Sequence, residues 1–413
     1  YKNNFMIPIA LSGDRSYNKD NVRKYVVSGN SLIPGASTIH FDEISKERIF
    51  NAVDNLKSMK ALIKESYTSL KNRLGRIPRL VDFYENEEID PMIIIREYKT
   101  YYAMLKAMEK KQEIEELSDS ETLILEYLSK TILSGVRPQE LELLKMLLEH
   151  NEVSIEEFQE DVSVEFGYLL DMNAIKNTIR ILQGHFHINS AEHQKYAQID
   201  ILKVNENKRI QRLNSFVSKL NESEFRKELN DIISFGLHRY KEKYNQNKNQ
   251  GVPFVLYEQY SRRDICFLMN CEKDLSSVMY GMKRIEDDVF IFVTYHKKQT
   301  KDASKKYVDG KPDYDDRFES NQIFCWDTQL GKGINSSYSQ SVITASRKHL
   351  MVQKRDRQIK FYYLGQFDIL EVKPAKKLNQ KGKEQDIAKF RVKMRNPVRE
   401  DIWQYFLSNV DEE

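Results

Sequence analysis

The run VFIFVTYH at residues 289–296 is eight residues of mainly aromatic and β-branched side chains without glycine or proline, and it reads as a strand. Five further runs downstream have the same character: 322–326 (QIFCW), 349–352 (HLMV), 360–364 (KFYYL), 366–372 and 388–394 (AKFRVKM). No helix between them is long enough for the crossover that parallel neighbours need. The expectation is therefore a mainly antiparallel β-sheet or small β-barrel over 251–413, with short helices at 262–269 and 399–407.

Upstream the period is different. Apolar residues recur at helical spacing from Ile49 through Leu70 to a stop at Gly75, and again over 76–84, 97–110, 119–133, 138–150, 155–161, 173–182 and 210–244. Residues 45–245 thus read as a helical array and the whole chain as α+β. The leucines between Leu141 and Leu148 form a packing stripe rather than a cofactor box. Residues 153–184 are the stretch best suited to a winged or helix-turn-helix unit. Residues 5–11 read as a strand with no methionine start before it, 18–27 as a helix and 38–42 as a strand, so 1–44 read as the tail of a preceding domain in a longer protein.

Charge is unevenly placed. The chain of 413 residues carries 65 Lys plus Arg and 62 Asp plus Glu, yet residues 347–399 alone hold 16 basic and 5 acidic side chains. Such a stripe suits a polyanion. The polar stretch 244–250 (YNQNKNQ) reads as the linker between the helical array and the basic part. With a mean hydropathy of −0.63, no apolar run approaches the roughly 20 residues that span a bilayer. Three cysteines without CxxC spacing give no disulfide scaffold, which makes a reducing cytoplasm the expected setting.

Motifs for catalysis are sparse. There is no phosphate-binding Gly-x4-Gly-Lys-Ser/Thr, no serine elbow and no HExxH; His185 and His187 supply half a zinc site, and Asp309, Asp313, Asp315 and Asp316 lack the spacing of a calcium loop. No catalytic residue, metal or cofactor is assigned. One weak imitation of a nuclease exists in Asp356, Glu371 and Lys373, where two carboxylates could hold Mg²⁺.

The stronger constellation interleaves cations with rings. Arg262, Arg263, Lys297, Lys298, Arg347, Lys354 and Arg355 are placed to neutralise phosphates, and Tyr295, His296 and Trp326 to line a pocket for a base. Phe290, Phe292, Phe361 and Tyr363 are expected in the core instead.

Long stretches of the chain resemble a known family. NNFMIPIALSGDRSYNKDNVRKYV with IPGASTIHFDEISKERIF, then GRIPRLVDFYE and SGVRPQELELLKMLL, then VPFVLYEQYSRRDICFLMN, FVTYHKK, YDDRFESNQIFCW and FYYLG are similar to the region after the motor in bacterial superfamily-2 DEAD/DEAH-box helicases. Residues matching the family pattern in the last domain are Tyr260, Arg262, Arg263, Asp264, Thr294, Tyr295, His296, Lys297, Phe318, Trp326, Tyr363 and Gly365. The resemblance implies an ATP-dependent translocase as parent, often fused to a phospholipase-D-like nuclease in a restriction or phage-defence setting. ATP and Mg²⁺ belong to motor domains whose motifs this chain lacks. It implies a nucleic-acid partner, DNA favoured, with the motor and nuclease domains of the same parent. The alternatives are an interaction scaffold docking those domains, or a Mg²⁺-dependent nuclease.

Overall fold

A strand of 19 residues organises the C-terminal half in the computed structural model, which describes residues 59–407 apart from 87–88, 111–112, 187–189, 246–250, 297–306, 309–310, 313, 315, 356–358 and 380. The strand and helix readings for 1–44, and with them the remnant of a preceding domain, lie outside the described residues. The chain divides between Gln246 and Asn247 into two units.

The first unit is mainly helical: α1 (Met59–Leu74), α2 (Leu80–Glu85), α3 (Pro91–Tyr98), α4 (Tyr101–Met108), α5 (Asp119–Thr131), α6 (Gln139–Glu149), α7 (Ile155–Phe166), α8 (Met172–Leu182), α9 (Ser190–Tyr196), α10 (Asn214–Lys219) and α11 (Ser223–Arg239). The helix expected over 97–110 is broken, because Lys99 takes a left-handed φ of 71° and Thr100 caps α4 by accepting from Ala103 N at 2.9 Å. Between the helices sits a three-stranded antiparallel sheet of β1 (Glu152–Val153), β2 (Leu202–Val204) and β3 (Ile210–Arg212), ordered β1-β3-β2. The helix expected over 210–244 is thereby corrected to a strand and two helices. Ile210, Leu213, Phe216 and Leu220 keep a spacing of three or four across a strand end and a short helix, which imitates one helical face.

Leu141, Leu144, Phe225, Leu229 and Ile232 are buried at the centre. Here α6 and α11 approach closely because Gly236 leaves room for Leu141, and Gly135, at φ 63°, faces the Gly236 carbonyl. The leucine stripe is core.

The second unit holds β4 (Gln259–Ser261), α12 (Arg262–Leu268), β5 (Met282–Ile285), β6 (Asp288–His296), a two-residue pair β7 (Tyr307–Val308) and β8 (Lys311–Pro312), β9 (Arg317–Phe318), β10 (Ile323–Asp327), α13 (Ser337–Thr344), β11 (Arg347–Arg355), β12 (Lys360–Leu378), β13 (Glu384–Met394) and α14 (Glu400–Leu407). The main sheet runs β5-β6-β11-β12-β13-β10-β9, with β4 on β12. All its pairs are antiparallel except β6 with β11. The α+β reading holds, and the described strands form an open sheet rather than a closed barrel. The two strands expected at 360–364 and 366–372 are one, because Gly365, at φ 106°, and an irregular register beside it let the chain bend without leaving the sheet. Both faces of β6 are filled: Phe290 and Phe292 pack on one side, Ile291 and Val293 on the other.

Candidate nucleic-acid interface

Strand parity decides which of the expected contact residues reach solvent. Trp326 pairs with Phe390 across β10 and β13, and cross-strand partners share a face. That face also carries Val392 and Met394 and is the core side. Trp326 is accordingly only 4% exposed, packed on Phe390 and Tyr338 with ring centroids at 5.2 and 6.3 Å. Lys354 is 1% exposed, its ammonium 4.2 Å from the Tyr405 ring centroid. Tyr295 lies against Phe318 and Phe406, its hydroxyl accepting from Phe318 N at 3.4 Å. Trp326 and Lys354 are interior, which corrects their assignment to a base pocket and to a phosphate contact, and Tyr295 is half-buried.

Two arginines are committed elsewhere. Arg263 donates to Asp274 at 2.8 Å, and Arg347 grips Asp288 with Nε and Nη2 at 2.7 and 2.6 Å. Asp288 also takes a hydrogen bond from Nε2 of the fully buried His349 at 2.7 Å, while His349 Nδ1 faces the Tyr363 hydroxyl at 3.1 Å. Burial raises the Asp288 carboxyl, but Arg347 and His349 more than offset this and hold it at about 2. Burial pulls the imidazole below its ordinary value despite Asp288, so His349 is the neutral Nε2–H tautomer. His296 and Arg355 are neighbours in the β6–β11 register. Their side chains, and Lys297 and Lys298 entirely, lie outside the described residues, as does Asp356 of the nuclease reading.

Arg262 is different. Its guanidinium sits against three rings, those of Phe361, Tyr280 and Phe292, at 5.0, 5.3 and 5.5 Å from their centroids. No carboxylate meets it among the described residues, its Nε has no hydrogen-bond partner, and burial lowers its pKa below the usual arginine value. Its Nε is buried among these rings, and the plane of the cation is fixed by them rather than by an acid.

The most basic surface was not among the expected contacts. Residues 372–395, the β12–β13 ribbon, hold nine Lys or Arg and two acids. Since Phe390, Val392 and Met394 point inward, Lys389, Arg391 and Lys393 occupy the outer face, with Lys373 across from Lys389 and Glu371 across from Arg391. Lys376 meets Glu384 at 3.2 Å, Lys373 meets Glu371 at 2.8 Å, and Arg391 meets Glu319 at 2.8 Å, all exposed pairs. Lys381, Lys383 and Lys393 are exposed and have no ion pair among the described residues. The stripe at 347–399 was visible in composition, but its strongest part needed the alternation along β13 to be read as an outer face. Glu371, the nuclease candidate, is tied to Lys373, and no group of three or more potential metal ligands occurs among the described residues. No helix among them is long and apolar enough to cross a membrane.

Comparison with known proteins gives two domain families. Residues 63–245 match one described as a domain of unknown function, DUF8090. Residues 254–406 match another, also described as a domain of unknown function, DUF3427. No curated protein matches. Among solved structures, Arabidopsis thaliana SUVH6 in complex with SAM is similar at 10% identity and a TM-score of 0.28 over 69% of this chain, which spans 41% of that one. The sulfur-binding and SRA domains of ScoMcrA complexed with phosphorothioated DNA are similar at 10% identity and a TM-score of 0.23, over 67% of this chain and 96% of that one. The Type IV phosphorothioation-dependent restriction endonuclease ScoMcrA gives 10% identity and 0.22, over 85% of this chain and 71% of that one. Superpositions of this quality do not specify a shared fold.

Proposed function

We propose that residues 254–406 form a nucleic-acid-binding module, with DNA as the favoured ligand, that serves an ATP-dependent DEAD/DEAH-box translocase in a restriction- or defence-like system. The β12–β13 ribbon carries this reading. Beyond Lys373 and Lys389 the two strands project as a two-stranded ribbon, a form that fits the roughly 12 Å width of a B-DNA major groove, while Arg391 and Lys393 lie where β13 also pairs with β10. Its exposed ion pairs are worth only about 0–1 kcal/mol each, so Lys373, Lys376 and Arg391 can exchange a carboxylate for a phosphate at little cost. Arg347 cannot, because its carboxylate is buried against His349. Arg262, among the described residues of the expected set, has its cation held in place by three rings and meets no acid. Phe361, beneath it, begins the strand whose far end forms the ribbon.

Anisotropy of labelled 30-mers, duplex and single-stranded, tests the proposal. Binding should weaken with salt, and Lys381→Glu, Lys383→Glu and Lys393→Glu together should reduce the slope of log affinity against log salt by about 0.9 for each lysine that meets a duplex phosphate. No binding at low salt, or a slope indifferent to the three reversals, would sink the reading. Mg²⁺-dependent cleavage abolished by Glu371→Ala would favour a nuclease instead. The scaffold reading draws on Val164 and Leu169 in the first unit, 81% and 78% exposed.

A further inference from the structure

The small sheet in the first unit gives the adjacent helices a specific arrangement. In order, α6, β1, α7, α8, β2 and β3 run through residues 139–212, with β3 central in the sheet. Helices α7 and α8 both pack on α6, and α8 also packs on β2. Five residues join α7 to α8: Gly167 closes α7 in the left-handed conformation at φ 75°, and Asp171 caps α8 by accepting from Ala174 N at 2.7 Å. This is a helix-turn-helix followed by a β-hairpin, the winged-helix arrangement, in the stretch whose sequence suggested it. The inserted α9 turns away onto α5, where Glu192 meets Lys130 and Lys195 meets Glu126 at 2.5 Å.

We propose that α8 and the β2–β3 hairpin form a second duplex-binding surface, separate from the ribbon. In helix-turn-helix proteins the second helix enters the major groove. On α8 Met172, Asn173 and Lys176 are exposed and Arg180 is half-buried; Asn173, Lys176 and Arg180 lie three and four apart on one stripe, while Ala174, Ile175, Ile179 and Leu182 are buried. The hairpin adds Lys203 and Lys208, both exposed. Its tip is shaped for the role: the Asn205 side chain accepts from Arg209 N at 2.9 Å, and Lys208 takes a left-handed φ of 58°. The turn is anchored, because Arg209 meets Glu152 at 2.8 Å and Glu157 at 3.2 Å. The exposed carboxylates Glu156 and Glu160 stand one turn apart on α7, so a polyanion is repelled from that helix and confined to the α8 and hairpin side.

The test uses the full chain. In one variant the ribbon lysines 381, 383 and 393 are reversed; in a second, Lys176→Glu, Lys203→Glu and Lys208→Glu are combined; in a third, both sets. Duplex affinity in the second variant should fall about tenfold or more, with a salt slope smaller by about 0.9 per lysine on a phosphate, and the Lys→Arg versions should keep both. Lysine acylation of the unaltered chain should show duplex protecting Lys176, Lys203 and Lys208, a readout that does not depend on a variant folding. Unchanged affinity in the second variant together with unprotected lysines would overturn the inference and leave the exposed Val164 and Leu169 to a protein partner. Loss of binding in the second variant with none in the first would instead remove the ribbon reading and keep this one.

Discussion

His349 and Asp288 meet in the interior of the C-terminal sheet, imidazole Nε2 2.7 Å from carboxylate Oδ1, and Arg347 holds the same carboxylate from the surface with a side chain 48% exposed. The carboxylate therefore connects a solvated cation to a buried neutral ring that stacks on Phe290 with centroids at 4.6 Å. Asp288→Asn removes the charge while keeping the shape. Because the change weakens charge-assisted hydrogen bonds worth about 1.5–3 kcal/mol while Arg347 itself stays solvated, thermal unfolding of the second unit should begin below that of the parent. An unchanged melting temperature would mean the contact contributes little.

The same cluster sets an acid limit. Asp288 has a folded pKa of about 2, below its unfolded value, so its contribution is complete above about pH 4 and disappears as pH falls through 2. His349 is also depressed in the fold, so its unfolded form takes a proton first, and stability declines as pH drops below about 6.5. Melting of the second unit from pH 8 to 4 should fall, and His349→Gln should flatten the part between 6.5 and 5.

The helical unit carries the opposite dependence. Burial pushes Glu228 up to about 8 and Asp231 up to about 7. Raised acids stabilise below their unfolded pKa and lose that contribution as pH rises through the folded value. Glu228→Gln resembles the protonated acid, so it should raise the melting temperature of the first unit most at pH 8.5, less at pH 6, and leave it nearly unchanged at pH 4, below the unfolded value of about 4.3.

Gly135→Ala should be among the costlier small substitutions. A Cβ there would stand 2.3 Å from the Gly236 carbonyl oxygen, and φ is already left-handed at 63°. About 2–3 kcal/mol should be lost, seen as a lower urea midpoint, whereas Gly382→Ala at the ribbon tip, where nothing lies within 4 Å, should lose less.

Trp326 and Arg262 should separate cleanly. Trp326→Ala empties a core position and should cost about 3–5 kcal/mol of stability. Arg262→Ala should instead weaken oligonucleotide binding with a small change in melting, and Arg262→Lys should not restore it, since a lysine lacks the plane that stacks on Phe361 and Tyr280. Wild-type binding in Arg262→Ala, or in Arg262→Lys, would contradict this role.

The sequence by itself determined the class of each half, because a period of two over 289–296 and a period near four over 138–150 record which side chains must share a face. It also located the basic excess at 347–399. It could not distinguish the strand and helices within 210–244 from one helix, since both satisfy the same spacing there. Only the tertiary structure decided which rings and cations are accessible. Trp326 has the chemistry of a base-stacking pocket, yet pairing with Phe390 turns it inward, Tyr295 is half covered by Phe318 and Phe406, and Asp288, 59 residues away, occupies Arg347. Accessibility depends on which long-range neighbour covers a side chain, and local pattern carries no record of that neighbour.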